Sequence, residues 1–330
     1  MLQPFELQKT LPVKLANSVD STTTAVWDVL TASYKGDLLR IHQLAAICPE
    51  LLYAQYNYTP PIHFAVREGH VETVKYLLNE GALDPTYKSY PFGDSLLTIA
   101  EERKYDQIVQ LLHEYLADTK RCKFRGDNGK IDYQQTVTEL QFQSAVDELN
   151  FENTNALLRD HPEYVQDRSF FWGEGILMMP AKDGNRDMLE LLMKHGASVP
   201  RMTKWGRFYY FKHYPIAEFL MNAEMHPQHH SWHNVTLLHD MAQENAVDKA
   251  ALLLKHGADI DAVDEEYQST PLGMASRWGH THMAELLLKQ GANPNKAGKD
   301  WAMPLAWAQR KGHSAVEYLL KKAGAVVKFP

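Results

Sequence analysis

Two sets of side chains in this chain have the types that acid–base or ionic chemistry uses. The first is a set of carboxylates. Glu265 and Glu266 are adjacent, and either one with Asp240 or Asp300 would form the acid and base pair of glycoside-type hydrolysis. The second is basic: Arg207, Lys212, His213 and Arg277 would make an anion pocket. A run of histidines, His226, His229, His230, His233 and His239, adds nitrogen ligands, but no zinc-type spacing accompanies them. No nucleophile elbow, phosphate-binding glycine loop, dinucleotide fingerprint or H-E-x-x-H stretch is present. Acid pairs of this kind are also common on solvated loop tips, and histidines are more often structural than ligating. The weight therefore falls on the elements that would hold these groups.

Those elements announce themselves by period. Gly36, Gly69, Gly184, Gly279 and Gly312 recur, and Lys104, Asn150, Lys212 and Asn245 take the glycine's place in weaker copies. Successive spacings are 33, 35, 46, 34, 28, 33, 34 and 33 residues. Eight residues after each marker stands a leucine: Leu44, Leu77, Leu112, Leu158, Leu192, Leu220, Leu253, Leu287 and Leu320. Nine copies of a turn plus two short helices are predicted over residues 24–326. Gly81, Gly196, Gly257, Gly291 and Gly324 stand where the second helices should end.

The best copies carry more than the period. Thr270-Pro271-Leu272-Gly273-Met274-Ala275 leads to Gly279-His280, then Leu286-Leu287-Leu288, then Gly291-Ala292. Pro304 to Ala325 and Pro61 to Ala82 repeat the series. This resembles the ankyrin repeat. The resemblance implies an all-α solenoid of helix-turn-helix units with β-hairpin fingers, stacked because one unit cannot bury its apolar face alone. It also implies a binding role on the concave face. Carried over by resemblance, the contact positions are Trp232 and His233, Glu265, Glu266 and Tyr267, Asp300 and Trp301. The first helices add Lys182, Asp183, Gln243, Glu244, Arg277, Trp278, Arg310 and Lys311. His63 and His239 match the family's structural histidine. The sixth to ninth units, from Lys204 onward, are similar to a bacterial ankyrin-repeat subgroup of unknown activity.

Two steps break the period. The 46-residue step carries Lys120-Arg121-Cys122-Lys123-Phe124-Arg125-Gly126-Asp127-Asn128-Gly129-Lys130, where Asn-Gly is a hairpin signal. An elongated basic finger is predicted at 117–137. The 28-residue step is short and packs six aromatics between Trp205 and Tyr214. Phe208, Phe211 and Tyr214 would fill the space of the missing finger, and some of Trp205, Arg207, Tyr209, Tyr210 and Lys212 would reach the groove. Six of seven tryptophans, all but Trp27, lie in units five to nine.

Composition narrows the function further. The 330 residues carry a net charge of −7, against a sequence-independent nucleic-acid binder. No apolar run is long enough for a membrane span, Met1 to Glu6 lacks the regions of a secretory leader, and Cys48 and Cys122 are too few for a disulfide framework. A cytoplasmic monomer without cofactor or metal is expected. Residues 1–23 read as an N-terminal extension and 327–330 as a tail.

The main reading is non-catalytic binding of another protein by the concave face, through Trp205, Arg207, Tyr210, Lys212, Trp232, His233, Glu265, Glu266, Tyr267, Arg277, Trp278 and Trp301. The alternative is a small polar or sugar ligand in units five to nine. A hydrolase or lyase there would use Glu265, Glu266, Asp240 and His213.

Overall fold

The computed structural model describes residues 1–89, 92–123, 136–165 and 170–326. Most of the predicted long finger, from Phe124 to Gln135, and the tail at 327–330 lie outside the described residues. The described part is helical, as the repeat requires. A short helix α1 (Phe5–Gln8) precedes a small antiparallel hairpin of β1 (Pro12–Lys14) and β2 (Asp20–Thr22). Helix pairs then follow the nine predicted units. They are α2 (Thr23–Lys35) with α3 (Leu38–Ile47), α4 (Pro61–Glu68) with α5 (Val71–Asn79), and α6 (Leu96–Glu102) with α7 (Asp106–Ala117). Next come α8 (Val137–Asp147) with α9 (Phe151–Asp160), α10 (Met178–Asp183) with α11 (Arg186–Lys194), and α12 (Gly206–Tyr209) with α13 (Tyr214–Asn222). The series ends with α14 (Leu237–Glu244) and α15 (Val247–Lys255), α16 (Pro271–Trp278) and α17 (Thr281–Lys289), and α18 (Pro304–Lys311) and α19 (Ser314–Lys322).

Local chemistry sets the helix ends. Proline occupies the first turn of α4, α16 and α18, where its missing N–H costs no helical bond. Five first helices stop at a marker glycine in the left-handed region, with φ near +75° at Gly184 and Gly312. Lys104 and Asn245 adopt the same region in the weaker copies, as the period predicts. In the fourth unit the left-handed residue is Leu149, one before the expected marker, and Asn150 instead caps α9 by accepting from Asn153 N. All nine period leucines are buried, which is why the second helices keep them.

Histidine ties one unit to the next. The Nε2 atoms of His70, His213, His280 and His313 lie 2.8–3.1 Å from the carbonyls of Tyr34, Lys182, Gln243 and Arg277. Each of these carbonyls belongs to the last turn of a first helix, where intrahelical donors run out. The histidine after these markers is therefore a structural clasp, with Lys212 in place of glycine before His213.

The described residues group into two compact units, residues 3–134 with Met1, and residues 135–330 with Leu2. In the first, the N-terminal segment is part of the core. Leu7 and Val13 are buried, and Tyr56 Oη donates to the buried Glu6 carboxylate at 2.6 Å. The basic stretch also packs where it is described: Lys123 N donates to Gly81 O at 3.1 Å, and Arg121 donates to Asn79. In both units the fingers differ from the expected β-hairpins. Outside β1 and β2 the described residues make only isolated bridges, such as Tyr56 with Thr59 and His230 with Thr236. Side chains hold these loops instead. Asp264 accepts from Tyr267 N at 2.5 Å and from Ser269 N at 3.0 Å. Among the described residues no helix is long and apolar enough to cross a membrane.

Candidate functional site

The short step around α12 has a clear physical basis. Glu174, buried in the preceding unit, accepts hydrogen bonds from Lys204 N at 2.8 Å and Trp205 N at 3.3 Å. Tyr210 Oη donates to the Glu174 carbonyl, and Thr203 Oγ1 lies 2.7 Å from His229 Nε2. A Cβ at Gly206 would collide with the His229 ring, so glycine is needed for this close approach. These supports fix the one-turn helix α12 that carries Arg207. Trp205 and Phe208 lie 5.9 Å apart on its flank, and the Arg207 guanidinium stacks over Phe208 at 4.5 Å.

Arg207 faces α14. Thr236 caps that helix, and His239 completes the capping box in place of the usual glutamate. His239 Nδ1 accepts from Thr236 N and its Nε2–H donates to Ser269 O at 3.1 Å, which fixes the neutral tautomer. Burial lowers its pKa and supports that assignment. Asp240 follows directly. Its side chain is 13% exposed, and Oδ1 lies 3.6 Å from Arg207 Nη1. The same Nη1 reaches Glu244 Oε1 at 3.2 Å and Gln243 Oε1 at 3.3 Å. Burial pushes the Asp240 pKa up to about 7; Arg207 opposes the rise, while Glu244 and Asp264 add to it. A carboxyl in that range exchanges its proton near neutrality.

The next two repeats hold an aromatic block. Arg277 is buried with its guanidinium 4.4 Å from Tyr267, 4.2 Å from Trp278 and 5.1 Å from Trp307. Trp307 Nε1 donates to Ser269 Oγ at 2.7 Å, and Ser269 Oγ donates to Ala302 O. Arg310 stacks on Trp307 at 4.3 Å and donates to the Trp301 carbonyl. His233 Nδ1 lies 3.0 Å from Glu266 Oε2, with both side chains buried.

The structure therefore divides the predicted site residues. Tyr210, Trp232, His233, Glu266, Tyr267 and Arg277 are buried, so the expectation that they present surface to a partner is corrected. Fingers without strands must be filled by their own side chains, and the large rings do that filling. Trp205, Glu265, Trp278 and Trp301 are half-buried, the Arg207 side chain is 9% exposed, and Lys212 is exposed. Lys212 Nζ donates to Lys182 O, the same carbonyl that His213 engages. Within the suggested catalytic set, Glu266 is paired to His233 and His213 is a clasp, which leaves Asp240 and Glu265 nearer the surface. The histidine run does not converge: His226 accepts from Gln228 N, His229 meets Thr203, and His230 Nδ1 lies 2.9 Å from Ser231 O. Glu174, Thr203 and Asp264 escaped the sequence reading. Glu174 acts on residues about 30 positions away, and no local pattern marks it.

Comparison with known proteins agrees with this geometry. The family model described as Ankyrin repeats (3 copies) matches residues 30–121, 208–298 and 238–329. The chain belongs to the ankyrin repeat family. Among curated relatives, Palmitoyltransferase ZDHHC17 of Danio rerio is 44% identical over 62 residues, which is 19% of this chain and 10% of the relative. Palmitoyltransferase ZDHHC13 of Homo sapiens is 43% identical over 61 residues, 18% of this chain and 10% of the relative. The mitochondrial liver isoform of glutaminase from Mus musculus is 29% identical over 90 residues, 27% of this chain and 15% of the relative. The chain thus spans about a tenth to a seventh of the length of these relatives.

Proposed function

We propose that this chain is a non-catalytic binding module that holds a protein partner on the first-helix ends and fingers of its sixth to ninth repeats. The observation that carries the reading is the surface left by residues 205–311. Half-buried Trp205, Trp278 and Trp301 stand among Arg207, Gln243 and Glu244 there, in a family whose repeats generally bind proteins. Half-buried aromatic and arginine side chains are favoured anchors, since they bury large area at little cost in rotamer freedom. We place the protein in a reducing, cytoplasmic setting, since two cysteines, Cys48 and Cys122, are too few for a disulfide framework. The test starts from peptides selected against the full chain from a random displayed library. Trp278→Ala and Trp301→Ala should each weaken the selected peptides tenfold or more while the thermal melt moves little. Unchanged affinity in both variants would remove the reading.

A second reading has one specific observation behind it. Asp240 beside Arg207 titrates near neutrality, as a general acid or base does. A small polar or sugar ligand, and hydrolase or lyase chemistry on it, would then centre on Asp240. Saturable binding of a glycan on an array, abolished in turnover but retained in binding by Asp240→Asn, would favour this alternative. Binding lost together with Trp278 alone favours the protein-binding module.

A further inference from the structure

We propose that the Arg207–Asp240–Glu244 cluster is the anchor point for a lysine or arginine side chain of a polypeptide partner, and that this anchor takes up the partner's charge by releasing a proton. The inference rests on the binding reading above and names what the binding surface selects.

Charge is unequal in the cluster. One guanidinium, nine-tenths buried, serves two carboxylates and an amide through a single nitrogen, Nη1, at 3.2–3.6 Å. These distances are at or beyond the long end of hydrogen bonding, as expected when one donor is divided among several acceptors. Among the described residues Asp240 Oδ1 receives no hydrogen bond, although the atom is shielded from solvent. Arg207 Nε is likewise shielded and without an acceptor, so the arginine's own geometry does not satisfy Asp240; a buried carboxylate oxygen without a donor is costly, and a partner's cation would supply one. Glu244 is 44% exposed, so the cluster is open on that side. Trp205 and the 41% exposed Phe208 border it, which suits the aliphatic stem and charged head of a basic side chain. An acidic or neutral anchor would meet two carboxylates already competing for one arginine.

Proton release follows from the neighbours. Burial, the largest cause, raises the Asp240 pKa to about 7; Arg207 on α12 opposes the rise, and Glu244 on its own helix and Asp264 on the loop before α16 add to it. Burial likewise raises Asp264, to about 6, with His239 opposing the rise. A cation placed on Asp240 favours its ionised form. With one such proton, the ionised fraction rises from roughly a tenth at pH 6 to nine tenths at pH 8, so affinity should rise about tenfold over that range.

The experiment uses the full chain and a random displayed dodecapeptide library. Selected peptides should share a Lys or Arg. Its replacement by norleucine or citrulline should weaken binding at least tenfold at pH 8. Affinity of the parent peptide for the unmodified chain should rise about tenfold from pH 6 to pH 8, and Asp240→Asn should flatten that profile. The pH profile of the unmodified chain stands even if the variant folds poorly. Peptides that lack a shared basic residue, or whose affinity is pH-independent, overturn the anchor while the binding reading survives if Trp278→Ala still weakens them. A library that yields no binder, or binders indifferent to both Asp240 and Trp278, removes both.

Discussion

Asp240 departs strongly from ordinary carboxylate chemistry. Its raised pKa has a stability sign that can be checked. The folded chain binds a proton that the unfolded chain has already lost, so this stabilising contribution is full below about pH 3.8 and disappears as pH rises through about 7. Asp240→Asn keeps the neutral form at every pH. Its stability relative to the natural chain should therefore climb by on the order of 2–3 kcal/mol from pH 5 to pH 8 in denaturant melts. A constant difference would mean that Asp240 titrates normally. His229 has the opposite sign. Burial, largest among its causes, lowers its pKa to about 3, so the stability of its neutral form is present above about pH 6.5 and falls below it. Comparing the natural chain with His229→Asn should show the natural chain losing about 2 kcal/mol of its relative stability between pH 7 and pH 5. Neither titration was legible in the sequence, because both depend on neighbours brought in from other repeats. Asp240 was named there only as half of a suggested acid pair, and His229 only as one of a run.

At the scale of the helix pair, the sequence was far more legible. The leucine eight residues after each marker reports the buried face directly, because every second helix must present one apolar stripe to its neighbours. Leu253 lies fully buried on α15, and Leu253→Ala should cost about 2–5 kcal/mol in urea melts. A loss under about 0.5 kcal/mol would place that residue outside the stacked core. The finger was read less well. Hairpin strands were expected, but single side chains such as Asp264 organise the turns, and the bulky rings of Trp232 and Tyr267 went inward rather than toward a partner. Periodicity marks which positions repeat, but it does not say which large side chain fills a gap. The long basic segment shows the same limit. Gly81 sits at φ +68° with the Arg121 carbonyl packed where a Cβ would be, so Gly81→Ala should destabilise the first unit by about 2 kcal/mol or more. A neutral substitution would show that the Arg121 to Lys123 contact is dispensable.

For the whole molecule, repetition explains why so much fold and so little function could be read from the chain. Nearest-neighbour stacking is encoded in every unit, so nine noisy copies average to one clear architecture. A binding surface is encoded once, in residues that differ from unit to unit, and its selectivity is a difference of affinities that no period reveals. The proposed role stands or falls on whether a protein partner is held by the surface of repeats six to nine. Amide hydrogen exchange of the full chain, with and without a saturating selected peptide, tests it most directly. Slowed exchange is expected in segments within residues 203–212, 240–246 and 276–312, with little change in residues 23–117. Protection confined to residues 23–117, or to the outward face of the second helices, would contradict it.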